Sequence, residues 1–332
     1  MIRYVVKRLV MLIPVLIGVV FIVFTINYIS PGDPVSSIVG AEATLEQRAE
    51  VRASLGLDDS FFVQFGRYLY NLVTRFDLGT DYITGRPVRE EIFERLPTTF
   101  TLTFISIAVA SVVGITLGIV SATKQYSIFD YLSTFFALIA SSMPVFWIGL
   151  MLMLVFSLKL GLFPTAGFSS PRHWVLPVVT IALNALAIVT RNTRSSMLEV
   201  VRQDYITTAR SKGLSETKVI TKHALKNALI PVVTVIGVQI GRTLGGAVVT
   251  ETIFSVPGLG SLMITGVKAS NYELVQGCVL IVAMVFCGVN LLVDILYAFI
   301  DPRIKGQYVR RTVKLAAAPI PQAATAGGEG DD

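Results

Sequence analysis

At 332 residues, 53% hydrophobic and only 15% charged, this chain holds fewer ionic groups than the roughly one quarter usual in a water-soluble domain. A bilayer is therefore its expected solvent, and a soluble globular enzyme is excluded as a description of the whole. The net charge of +6 comes without any run that alternates basic and aromatic side chains, which argues against a nucleic-acid groove.

A basic start at 1–8 leads into a first apolar stretch at 9–29. That stretch is longer than a signal-peptide core, and the SPGDPV after it has no small-x-small cleavage site, so it reads as an uncleaved span. Residues 30–100 differ from the spans in composition and are too many for a simple connector. Within them Thr44 and Gln47 have capping-box spacing for a helix that stops before Gly56. Ser60 can cap a second helix with Phe62, Phe65, Leu69, Leu72, Val73 and Phe76 on one face, and Pro87 can open a third carrying Ile92, Phe93 and Leu96. Such faces rest either on the outer leaflet and the span ends, or against an external partner.

Further apolar stretches follow at 101–123, 131–158, 174–190, 228–250 and 274–300, each near the ~20 residues that cross hydrocarbon. In lipid the backbone must bond to itself, so all six are expected to be helices, with kinks at Pro144 and Pro177. The expected fold class is an all-α membrane protein of six transmembrane helices, with a helical extracytoplasmic insert between the first two. The loops fall at 191–227 and 251–273; the tail at 301–332, rich in Ala, Pro and Gly with an acidic end, is expected to be largely disordered.

Lys and Arg give the orientation. They gather before the first span (Arg3, Lys7, Arg8), between the second and third (Lys124), between the fourth and fifth (Arg191, Arg194, Arg202, Arg210, Lys212, Lys218, Lys222, Lys226) and after the sixth (Arg303, Lys305, Arg310, Arg311, Lys314). The short opposite loops hold Lys159, Arg172 and Lys268, so both termini are expected in the cytoplasm of a multi-pass inner-membrane protein. Cys278 and Cys287 lie nine positions apart on one helix, about 13 Å along its axis and beyond disulfide reach, and read as packing residues. His173 and His223 fall on opposite sides of the membrane and suggest no metal site.

The 191–227 loop contains the best-defined non-spanning pattern. In YITTARSKGLSETKVITKHALKNALIP, residues 205–231, Asp204 can cap a helix from Tyr205 to Lys212 that ends at Gly213. Ser215 can cap the next, with Val219, Ile220, His223, Ala224 and Asn227 at helical spacing as far as Pro231. Two helices at an angle, bent at Gly213, suit either a solvated basic loop or a docking elbow.

At these residues the chain resembles the EAA-type cytoplasmic loop of ATP-binding cassette importer permeases, in the dipeptide, oligopeptide and nickel branch. The family's Glu-Ala-Ala, three residues and Gly align with Thr207, Thr208, Ala209 and Gly213, of which Ala209 and Gly213 match; Lys226 stands where the wider family has proline. HALKNALIP, VVKRLVMLIPVLIGVVFIVF leading into SPGDP, DLGTDYITGRPV, ERLPTTFTLT and GRTLGGAVVTETIFSVPGLGSL extend the resemblance from Met1 to about Lys305. It implies a type I importer permease fold, first-permease type, that moves dipeptides or short oligopeptides received from an extracytoplasmic substrate-binding protein. It also implies a second homologous permease and two cytoplasmic ATPase subunits or domains. Nickel complexes, glutathione-like peptides or another small solute are alternative cargoes; a self-sufficient channel or secondary transporter is a more distant alternative.

The chain has no Gly-rich phosphate loop ending in Lys and Ser or Thr. The expectation is a non-enzymatic subunit without a cofactor of its own, ATP and Mg²⁺ being bound by its partners. Coupling to the ATPase is expected from Thr207, Thr208, Ala209, Arg210, Lys212, Gly213 and Leu214, with small side chains at 207–209 admitting the partner and Arg210 and Lys212 meeting its acidic groups. Arg242 inside the fifth span and Glu251 near its external end are the candidates for the substrate path, against the alternative of a structural ion pair. Asp294 in the sixth reads as structural, and Gly245 and Gly246 as helix-packing positions.

Overall fold

The structure, a computed structural model, describes residues 2–30, 34–40 and 42–300. The tail at 301–332, with its basic residues, lies outside them. The elements in order are α1 Ile2–Ile29, α2 Pro34–Val39, α3 Leu45–Ser54, α4 Phe61–Arg75, α5 Val88–Thr123, α6 Ile128–Ser142, α7 Val145–Leu152, α8 Pro171–Val201, α9 Asp204–Ser211, α10 Glu216–Lys218, α11 Leu225–Phe254, α12 Leu259–Lys268 and α13 Tyr272–Ile300. Two π-helical segments, Met153–Lys159 and Val219–Ala224, extend α7 and join α10 to α11. Five helices are long and apolar enough to cross a membrane, or six with α6 and α7 taken as one span.

That pair corrects the expected single helix at 131–158. The α6 and α7 axes meet at 105°, because Pro144 holds Met143 extended, at φ −85 and ψ 135, and α7 restarts behind the proline. A second correction concerns the insert. The helix opened by Pro87 and the span expected at 101–123 are one 36-residue helix, α5. At about 54 Å it exceeds the ~30 Å hydrocarbon core, so its first turns stand beyond the span proper. There Val88 and Ile92 are buried with Leu78, Leu259, Leu274 and Cys278. Pro97 lies inside α5, and the Thr101 hydroxyl bonds its carbonyl at 2.8 Å.

In the insert the Thr44 and Gln47 capping box forms at the head of α3. Ser60 precedes α4 without a side-chain cap. The buried side of α4 also differs from the expected one: Phe61, Phe65 and Tyr68 meet Phe21, Phe24 and Tyr28 of α1 at centroid distances of 5.1 to 6.1 Å, while Phe62 and Val73 remain exposed. Aromatic edge-to-face pairing with α1 decided the face.

The expected fourth span, 174–190, is the middle of a longer α8, begun by Pro171 and a capping box between Ser170 and His173. At Pro177 the helix runs on. α5 and α8 pack through a Gly-x-x-x-Gly pair that lets their backbones approach. A Cβ on Gly114 would come within 3.0 Å of Val189, and one on Gly118 would collide with Thr193 and the Thr190 carbonyl. Gly118→Leu is accordingly expected to destabilise the detergent-purified chain by about 2 kcal/mol or more. A fall in thermal midpoint reads this out, with Gly245→Ala, in open space, as the unchanged comparison.

Candidate functional site

The elbow between α8 and α11 has a core of its own. Ile206 and Ala209 turn inward from α9 onto Met197 of α8, Val219, Ile220 and Ala224 of the π segment, Ala228 of α11 and Ala122 of α5. The cap of α9 is Gln203, one residue before the expected Asp204, which is the first helical residue, and no side-chain bond caps it. Gly213 makes the bend at φ +77, a conformation that costs other residues about 1–2 kcal/mol. Across it Arg210 grips Glu216 at 2.8 and 3.1 Å, and the Asn227 amide donates to the Tyr205 hydroxyl at 2.8 Å.

One expected role changes. Ala209 is 6% exposed, so its small size serves packing beneath α9 and offers a partner no surface. Arg210, exposed, is paired with Glu216 at the elbow surface. The outer face is made by Thr207, Thr208, Lys212 and Gly213, with Leu214 half-buried at its edge. Thr208 and Ser211 bond the carbonyls of Asp204 and Thr207, which leaves a short, low-relief helix surface. Gly213 itself has open space around its Cα.

Behind the elbow lies a clamp that the sequence reading passed over. Arg194 of α8 forks onto Asp130 of α6 at 2.7 and 2.9 Å, the Ser121 hydroxyl of α5 donates to the same carboxylate, and the Tyr126 N–H reaches it at 3.1 Å. Three helices are thereby tied together beside the elbow core. A bidentate pair on a buried carboxylate is strongly orienting. Its sequence signal was a lone aspartate one residue before an apolar stretch and an arginine counted only for topology.

The path candidates do not come together. Glu251, fully buried, accepts the Thr99 hydroxyl at 2.6 Å and the N–H groups of Gly260 and Ser261 at 2.7 and 3.0 Å. It sits where the first N–H groups of α12 need an acceptor. A Cβ on Gly258 or Gly260 would collide with its carboxylate, which accounts for the glycines of VPGLG. Glu251 is therefore a structural anchor; neither a path residue nor an ion pair with Arg242 describes it.

Arg242 is exposed on α11 within the span, with no hydrogen-bond or ion-pair partner among the described residues. It lines a small recess with Asn184 of α8 and Gln239 and Thr243 of its own helix. Gly245 and Gly246 beside it leave open space where a Cβ would stand, so they pack against no helix among the described residues. Asp294 pairs with Arg8 of α1 at 3.0 Å, as a structural reading expects.

A family profile described as "Binding-protein-dependent transport system inner membrane component" matches residues 114–306, and a corresponding N-terminal profile matches 1–103. The chain is 43% identical over 333 residues to a protein named dipeptide transport system permease protein DppB from Alkalihalophilus pseudofirmus, covering 92% of this chain and 100% of that relative. It is also 43% identical over 305 residues to glutathione transport system permease protein GsiC of Salmonella paratyphi A, covering 92% and 99%. Among solved structures, an amino acid ABC transporter aligns with TM-score 0.51 at 15% identity, over 65% of this chain and 94% of that one. The MetNI methionine ABC transporter in an inward-facing form aligns with TM-score 0.51 at 16% identity, over 63% and 96%. At these identities the two structures speak to the fold alone.

Proposed function

Because this chain belongs to the binding-protein-dependent transport system inner membrane component family, and is thus the permease subunit of an ATP-binding cassette importer, we propose that its cargo is a dipeptide or short oligopeptide. The observation that carries the cargo assignment is the 43% identity, across 92% of this chain, to a relative named for dipeptide transport. A second reading, a glutathione-sized peptide, is favoured by the equal identity to a relative named for glutathione.

Family membership implies a cytoplasmic ATPase and a binding protein as partners. The composition proposed is this chain, a second homologous permease, two ATPase subunits or domains that bind ATP and Mg²⁺, and an extracytoplasmic binding protein. The orientation proposed sets the elbow and both termini in the cytoplasm, in keeping with the distribution of Lys and Arg. Thr207, Thr208, Lys212, Gly213 and Leu214 then face the ATPase, while Ala209 packs the elbow from within and Arg210, exposed and paired with Glu216, borders that face. Because the elbow is packed on α8, α11 and the end of α5, a push on α9 moves those helices together, a rigid-body transition.

Arg242 is the chain's contribution to the path. An intramembrane cation is costly unless it faces a cavity or partner, and the recess with Asn184 and Gln239 suits the carboxylate of a passing peptide. In proteoliposomes holding the full complex, ATP-driven uptake of dialanine is expected to exceed that of its C-terminal amide by about tenfold, ~1.4 kcal/mol. Arg242→Gln is expected to erase the preference. Uptake of nickel complexes without peptide would overturn the cargo, and a preference that survives in the variant would remove Arg242 from the path.

A further inference from the structure

The clamp behind the elbow stands on the same turns as the elbow core. Ser121 precedes Ala122 on α5, and Arg194 lies one turn before Met197 on α8. Their shared acceptor, Asp130, is 3% exposed and sits in the first turn of α6. Among the described residues, every side-chain hydrogen bond from α6 to another helix converges on that carboxylate, two from the Arg194 guanidinium and one from the Ser121 hydroxyl. Higher up, α6 borders an apolar cleft of about 510 Å³, which Leu132, Phe136 and Ala140 share with Val120 of α5, Met151 of α7 and Leu186 of α8. The foot of α6 is thus tied to the elbow's supports by charge-assisted bonds, while its middle has room to shift against its neighbours.

The far end of α6 leads to the recess of Arg242. From Ile128 to Ser142 the helix covers about 21 Å, and the extended Met143 and Pro144 then hand the chain to α7. Val145, the first residue of α7, lines the recess together with Arg242, Asn184 and Gln239. Two residues therefore separate the tip of α6 from a wall of that recess. Hydrogen-bonded networks and rigid helices are the physical carriers of coupling between distant sites.

We infer that Asp130 and Arg194 are positioning residues of the transport cycle: they attach α6 to the body moved by the elbow, and α6 carries that movement to the Val145 wall of the Arg242 recess. The inference rests on the reading of the elbow as the ATPase contact and of Arg242 as part of the path. It adds a route of its own, since α8 and α11 carry Asn184 and Arg242 while α6 sets the wall that faces them.

Asp130→Asn is the test variant, because its amide oxygen still accepts a hydrogen bond while the ionic fork with Arg194 is lost. In proteoliposomes holding the full complex, dialanine taken up per ATP hydrolysed is expected to fall about tenfold, with as much ATPase co-purifying as in wild type. Ile92→Ala, which opens a void in the external core, is the destabilised comparison and is expected to keep the wild-type ratio. A wild-type ratio in Asp130→Asn, or an equal fall in Ile92→Ala, overturns the assignment. A second measurement reads the movement itself, with Cys278 and Cys287 replaced by alanine and spin labels attached through Thr221→Cys in the elbow and Phe135→Cys on α6, both exposed positions. Their separation is expected to stay narrow and equal in the nucleotide-free and ATP-bound complex, and to broaden or shift between those states in Asp130→Asn. A separation that changes in the otherwise wild-type complex, or stays equally narrow in the variant, detaches α6 from the elbow and sinks the inference. This measurement needs no cargo, so it judges the clamp even where dialanine is not carried. Failure of the elbow reading shows separately, as ATPase that still co-purifies in full with Thr208→Asp.

Discussion

Replacing Ala209 by aspartate is expected to reduce substrate-stimulated ATP hydrolysis and uptake by the assembled importer about 100-fold or more. Ala209 lies under α9 against the elbow core. A carboxylate there has no cation within the cluster to pair with, and burying an unpaired charge costs several kcal/mol. The elbow would lift from α8 and α11 and lose its rigid link to the spans. Thr208→Asp separates this from simple loss of docking, because Thr208 is exposed and bonds only its own helix. That variant is expected to leave the elbow as resistant to proteolysis as wild type while less ATPase co-purifies, whereas Ala209→Asp opens the elbow to the protease. Normal coupling in Ala209→Asp would show that the elbow core transmits nothing.

The second large effect is expected at Glu251. Truncation to alanine strands the N–H groups of Gly260 and Ser261 and the Thr99 hydroxyl inside the protein. At about 1–3 kcal/mol for each of the three donors left without an acceptor, the loss is roughly 3–9 kcal/mol. For a chain of this size, whose unfolding entropy is roughly 0.7 kcal/mol/K, that lowers the thermal midpoint by about 4–13 °C. Glu251→Gln keeps one acceptor oxygen and is expected to lose about half as much. A Glu251→Ala protein that melts within about 2 °C of wild type but fails in uptake would return the residue to the substrate path.

The contrast between Glu251 and Arg242 shows what was legible. Both announced themselves as charges in an apolar stretch, and that signal is one of solvation cost alone. Whether a partner exists depends on backbone N–H groups brought in by the turn at Gly258, which carry no sequence label of their own. The spans themselves were readable because length and apolarity are one-dimensional properties. Their ends were not: α5 begins well outside the bilayer because Val88 and Ile92 find a protein core there, and hydropathy does not register such contacts. The break at Met143 and Pro144 was anticipated as a kink, but its size depends on how α7 repacks on α8. In the elbow, Gly213 was identified by its conformational freedom, while the inward turn of Ala209 required knowing that Val219 and Met197 lie beneath it. The clamp of Asp130 and Arg194 joins residues 64 positions apart, a separation at which local patterning is silent.

The π-helical segment Val219–Ala224 sets an angular phase. Such a segment accommodates an extra residue within a helix, and here it stands between the elbow, which is pinned by Val219, Ile220 and Ala224, and the face of α11 that bears Arg242. Each residue of an α-helix advances its azimuth by about 100°. Removing one residue from 219–224 would therefore leave α11 in place but turn Arg242 away from Asn184, or keep Arg242 and twist the elbow off its core. The dial that aims the Arg242 side chain and the dial that aims the elbow are one and the same, so length changes in this stretch are constrained even where residue identity is free to drift.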